Sequence, residues 1–140
     1  MPTVFSRIIA GELPARFVWS DARCVAFLSI NPVRPGHTLV VPRIEVEHWV
    51  DLDSDDYEHL MAVAKGVGRA IDRAYRPGKV ALMFVGLEVP HVHAHLVPID
   101  TMEQLDFRLA ERDPDPAALD DAAERIRAAL TELGYEEVAS

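Results

Sequence analysis

The chain has 140 residues, 49% of them hydrophobic, enough for one domain with a sizeable core and too few for two ordinary ones. Against 14 Lys and Arg stand 23 Asp and Glu, a net charge of −9 at pH 7 that argues against a nucleic-acid groove or an anionic membrane surface. Cys24 is the sole cysteine, which excludes an intrachain disulfide and a cysteine-based zinc cluster.

Along the chain, Phe5–Ala10 predicts a short helical turn closed by Gly11. Arg7, Gly11 and Glu12 interrupt any apolar run there, so no signal peptide is expected, and the segment 80–87 is far short of a bilayer span. A reduced, cytoplasmic protein is the expectation. Phe17–Ser20 and Cys24–Ser29 read as strands joined by a tight turn at Asp21-Ala22-Arg23, with Cys24 as a buried structural thiol. After the breakers Asn31-Pro32 and Arg34-Pro35-Gly36, His37–Pro42 reads as a third strand.

Leu60, Val63, Ala64, Val67, Ile71 and Ala74 recur at helical spacing and predict a helix over Ser54–Tyr75, capped by Ser54 or Asp55 and ended by Pro77-Gly78. Val80–Gly86 and Val92–Pro98 supply two more strands. Asp100–Pro114 is a polar connection. A last helix starts with Asp115 as cap and Pro116 at its first position, carries Leu119, Ile126, Leu130 and Leu133 as an apolar stripe, and closes at Gly134. Five strands in three groups separated by a helix fit an α+β domain with an antiparallel sheet.

Three of the six histidines fall within His91-Val92-His93-Ala94-His95-Leu96-Val97-Pro98. The alternation has the period of a strand and predicts the three rings on one face, with Val92, Ala94 and Leu96 on the other. A neutral imidazole is a nucleophile, a general base and a metal ligand near pH 7. Two chemistries therefore stay open at this point: a catalytic row, or a metal site in which His93, His95 and Asp100 supply ligands. His48 and His59 read as exposed, and Trp19 and Trp49 as core or interface residues.

The run from His91 to Val97 matches the His-φ-His-φ-His-φ-φ signature and resembles the histidine triad (HIT) superfamily. Phe5–Ala15 is similar to the N-terminal turn of that family, and Pro35–Pro42 to its loop-and-strand segment upstream of the triad. The resemblance implies a HIT-like fold, with a five-stranded antiparallel sheet and two principal helices, and a homodimer. Residues 1–108 would form the HIT domain and 109–140 a C-terminal helical extension packed on it. It also implies a hydrolase or transferase of nucleoside monophosphates, with a purine nucleoside phosphoramidate or polyphosphate as substrate. In that scheme His93 becomes nucleotidylated, His95 reaches a phosphate oxygen, His37 is a further donor and His91 packs beside the nucleophile. The nucleotide would meet Ser29, Ile30 and Asn31; Glu88, in the segment before the triad, would repel a polyphosphate if it faced the pocket and would instead favour an amine leaving group, as in a nucleoside phosphoramidate.

The sequence departs from the family pattern in places. Many bacterial members hold a structural zinc with two cysteines in the N-terminal turn and two histidines; the corresponding positions are Thr3 and Ser6, with His48 and His91 as nitrogen donors. Hydroxyls are poor substitutes for thiolates, so neither metal nor cofactor is expected. Ser29 stands where relatives carry an Asp for the ribose, and Val85–Pro90 replaces a longer Gly-rich phosphate loop. A nucleotide-binding homodimer with little catalysis is the alternative these departures support.

Overall fold

The computed structural model describes residues 2–140. A five-stranded antiparallel sheet is built from β1 (Phe17–Ser20), β2 (Cys24–Leu28), β3 (Thr38–Pro42), β4 (Lys79–Phe84) and β5 (Ala94–Ile99), in the order β1-β2-β3-β5-β4. Helix α1 spans Val4–Ile9, α2 Ser54–Tyr75 and α3 Pro116–Glu132. Among the described residues no helix is long and apolar enough to cross a membrane.

The two faces of the sheet are covered unequally, and that decides where a site can form. Because strand side chains alternate, Cys24, Ala26, Leu28, Val40, Ala94 and Leu96 face one way and pack against α2 and α3 through Leu60, Val67, Ile71, Ile126 and Leu130. Val25, Phe27, Leu39 and Val41 face the other way, where the cover is only Phe5 of the short α1 and a few neighbours. A six-residue helix cannot shield a whole sheet face, so a cleft stays open beside it.

Strand and helix limits follow the sequence closely, with informative shifts. Asp53, not Ser54 or Asp55, is the N-cap of α2, and its side chain makes no capping hydrogen bond. At α3 the Asp115 carboxylate does accept from Ala117 N–H, with Pro116 in the first turn. Strand β4 ends at Phe84, and Gly86 then turns the chain with φ +75°. Strand β5 starts at Ala94 rather than Val92, because the Val92 N–H is spent on the Val46 carbonyl outside the sheet. Of the three clustered histidines only His95 therefore lies on the ladder, opposite Leu39 and Met83; His91 and His93 occupy the bend leading into it.

His59 is not exposed as expected. Its Nε2 lies 2.9 Å from an Asp21 carboxylate oxygen that also accepts from Trp19 Nε1–H. Trp19 is buried at that junction, whereas Trp49 is 41% exposed and stacks on Phe84. Cys24 is buried, and burial pushes its thiol up to about 12.

Candidate active site

Backbone atoms set the proton positions of His37, His91 and His93, and His37 passes its assignment to His95. His37 ends the breaker-rich loop just before β3 and is 1% exposed. The Val33 N–H donates to its Nδ1 at 3.1 Å, so a neutral His37 must carry its proton on Nε2. That Nε2–H then donates to Nδ1 of His95 at 3.0 Å. His95 in turn keeps its proton on Nε2, which has no partner among the described residues and is left as a donor to the cleft.

His93 is set the opposite way. Its Nδ1–H donates to the His91 carbonyl at 2.7 Å, leaving the Nε2 lone pair without a protein partner. The rings of His93 and His95 stand 4.8 Å apart at 64°, so a lone pair and an N–H serve the same space. His91 is fully buried and does not line the cleft; its Nε2–H donates to the Pro42 carbonyl at 2.8 Å. Its Nδ1 accepts from the Thr3 hydroxyl at 2.8 Å. The role of His91 in this geometry is to hold the main-chain oxygen that orients His93.

Burial disfavours the charged form of all four rings. It brings His95 down to about 3, helped by His93 and His37, and His37 down to about 4, helped by His93. Burial lowers His93 as well, against the opposing pull of its bond to the His91 carbonyl, and lowers His91. All are neutral at pH 7. An unfolded chain would bind protons at these rings near the ordinary 6.5, whereas the folded His37 and His95 refuse them until about 4 and 3. Stability is therefore full above pH 6.5 and is lost as the pH falls from there towards 4, by on the order of 2–3 kcal/mol per pH unit for the pair. Urea midpoints taken at half-unit steps from pH 7 to pH 4.5 should slide downward from the first steps. A flat profile to pH 5 would contradict a buried, neutral pair.

The cleft beside these rings is about 740 Å³, the size of a small-molecule site. Ser29, Ile30, Asn31, Glu88, His37, His93 and His95 all line it, so the structure gathers every residue expected to act on or contact the nucleotide except His91. Within it, Ile30 is 66% exposed. Asn31 Nδ2–H donates to the Glu111 carbonyl at 2.8 Å, which commits part of its amide to holding the chain. A second concavity, about 890 Å³ between α2 and α3, contains none of these groups.

Sequence reasoning missed the aromatic rings that pack against the site histidines. Phe5 meets His93 edge-on with centroids 4.8 Å apart, and Phe107 meets His95 at 5.1 Å. Phe107 is the lone aromatic in the polar stretch 100–114, a signal that was available. Arg108 and Arg112, from the same stretch, also line the cleft.

A HIT domain model matches residues 10–102. The chain belongs to the HIT domain family. Among relatives of this HIT protein, an uncharacterised HIT-like protein of Methanocaldococcus jannaschii is 37% identical over 102 residues, 68% of this chain and 77% of the relative. An uncharacterised HIT-like protein of Mycobacterium tuberculosis is 36% identical over 130 residues, 84% of this chain and 88% of the relative. A crystal structure described as a hypothetical histidine triad nucleotide-binding protein from Sulfolobus tokodaii superposes with a TM-score of 0.81 at 27% identity, covering 92% of each chain.

The structural zinc of bacterial relatives does not fit the residues of this HIT protein. Thr3 Oγ1 accepts from Ser6 N–H and donates to His91, while Ser6 Oγ–H donates to Glu45 Oε1 at 2.6 Å. Both nitrogens of His91 are engaged, and two neutral hydroxyls are weak ligands for zinc. The hydrogen bonds join α1 to His91 directly. The other metal arrangement fails on geometry: Asp100 turns to Gly78 N–H at 2.8 Å and to Arg34. Among the described residues no group of three or more His, Cys, Asp or Glu is placed to hold a metal ion.

Proposed function

We propose that this HIT protein transfers or hydrolyses nucleoside monophosphates through a covalent intermediate on His93, acting on a purine nucleoside phosphoramidate or polyphosphate. The observation that carries the reading is the fixed Nε2 lone pair of His93 beside the fixed Nε2–H of His95. In the first step the lone pair forms a bond to the α-phosphorus and the bond to the leaving group breaks, its electron pair departing with that group, as a phosphate anion from a polyphosphate or, with a proton taken from solvent, as an amine from a phosphoramidate. His95 donates to a non-bridging oxygen as charge builds there, and His37 keeps His95 in the donating tautomer. In the second step water, or another acceptor, adds to phosphorus from the cleft, the N–P bond breaks, and the pair returns to His93. The acceptor's proton passes to solvent. No cofactor enters either step.

Ser29, Ile30 and Asn31 would contact the nucleoside, since they line the cleft within a few residues of His37. Residues 1–108 would be the catalytic domain and 109–140 the extension. A homodimer in the cytoplasm completes the reading; β4 is an edge strand with Leu82 40% exposed, and a second copy could cover it.

The test is intact-mass spectrometry after brief mixing of the wild-type protein with adenosine 5′-phosphoramidate, with AMP release followed in parallel. A mass increase of one adenylyl group, mapped to His93, is expected. Nucleotide binding without adduct or AMP would instead mark a binding module.

A further inference from the structure

The connection between β5 and α3 forms a rim of the cleft and carries its cations. Two single-turn helices, Met102–Gln104 and Phe107–Leu109, give it regular structure. Two hydrogen bonds moor it to the loop after β2: Asn31 Nδ2–H donates to the Glu111 carbonyl at 2.8 Å, and Glu111 N–H donates to the Pro32 carbonyl at 3.0 Å. The residue after this mooring is Arg112. Arg108 and Arg112 line the same cleft as His93 and His95. The Arg108 guanidinium forks onto the Asp106 carboxylate and is compensated there. Arg112 is exposed and has neither an ion-pair nor a hydrogen-bond partner among the described residues. Its acidic chain neighbours Glu111 and Asp113 do not line the cleft.

An uncompensated guanidinium on a moored rim, in a chain of net charge −9, is a local exception to the overall field. We propose that Arg112 is a specificity-determining residue that binds the anionic leaving group of a nucleoside polyphosphate, so that the site selects phosphoanhydrides over phosphoramidates. The proposal rests on the His93 reaction given above. Guanidinium is the group best matched to phosphate oxygens, through paired N–H donors. Glu88 also lines the cleft and disfavours an anion, which leaves Arg112 as the compensating charge.

The bond changes agree with this choice. When His93 Nε2 bonds to the α-phosphorus of an anhydride, the P–O bond to the next phosphate breaks and its electron pair leaves on that oxygen, as a phosphate anion that needs no proton. A P–N substrate must instead deliver its amine with an added proton. That proton comes from solvent, and the uncharged amine offers the Arg112 guanidinium no anion to bind.

The experiment compares kcat/KM for diadenosine triphosphate and for adenosine 5′-phosphoramidate in the wild type, Arg112→Ala and Arg112→Lys. Wild type should favour the triphosphate. In Arg112→Ala the triphosphate-to-phosphoramidate ratio should fall about 10- to 100-fold, the loss of one charge-assisted contact, mainly through a raised KM. Arg112→Lys should recover part of it. Equal losses on both substrates would show a structural role and overturn the proposal, as would a wild type that favours the phosphoramidate. A wild type that turns over neither substrate and forms no adduct would overturn the His93 reaction itself, and this inference with it.

Discussion

His93→Ala is expected to lower turnover by about 10⁴-fold or more while nucleotide affinity changes little. The nucleophile is lost outright, and no other side chain in the cleft presents an unpartnered lone pair held by a main-chain bond. Binding should survive because the ring is one wall among many in a cleft of about 740 Å³. Steady-state AMP release and calorimetric titration with AMP separate the two effects. His93→Gly with added imidazole is the sharper version, since the free base can enter the vacated space and restore part of the rate. His95→Ala should cost less, about 10²–10³-fold, because it removes one donor to the developing charge and leaves the nucleophile in place. Wild-type turnover in His93→Ala would place the nucleophile elsewhere.

Gly36→Ala is expected to destabilise the fold by about 3 kcal/mol, far more than a surface Gly→Ala exchange elsewhere. Two costs combine at this position. Its φ is +91°, a region that costs an L-residue about 1–2 kcal/mol. A Cβ there would also lie 2.7 Å from Tyr75 Cε2, and the Tyr75 ring is backed by the Arg125 guanidinium 4.2 Å from its centre. Gly11→Ala isolates the first cost, because Gly11 has φ +82° and nothing within 4 Å of the added methyl. Urea melts of the two variants should therefore differ by roughly the clash alone, about 1–2 kcal/mol. Activity should fall only in Gly36→Ala, since any shift of residue 36 moves His37 and the bond it makes to His95. Equal destabilisation of both variants would mean that the Tyr75 ring moves aside freely.

The α2 limits were legible in the sequence because two independent signals agree there, the helical spacing of Leu60, Val63, Val67 and Ile71 and the breaker Pro77-Gly78. The start of β5 was not legible, for a physical reason. Alternation from His91 to Val97 reports which side chains are buried, and they all are; it does not report which backbone groups join the sheet. Val92 is buried like a strand residue while its N–H bonds a loop carbonyl. The approach of His37 to His95 spans 58 positions in sequence, and proximity of that kind came from the family resemblance, not from any local pattern. Phe107 and Arg112 escaped because the connection has no period at all, and its placement depends on two hydrogen bonds to a distant loop. The pairing of His59 with Asp21 escaped likewise: an acidic helix segment reads as solvated until a turn 38 residues away is folded against it.

The mooring of His37, His91 and His93 to main-chain atoms, with His95 held through His37, has a consequence for how the site tolerates change. Val33 contributes only its N–H, Pro42 and His91 only their carbonyl oxygens, and peptide groups are the same whatever side chain they bear. Side-chain drift at positions 33 and 42 can alter packing without touching the proton assignments, so a conventional alanine scan will find the histidines and miss what governs them. The informative substitution is atomic: an ester in place of the amide at residue 33 deletes a single N–H and frees His37 to put its proton on either nitrogen. Protonation in this cleft is written into the backbone trace, and it persists for as long as the loop keeps its path.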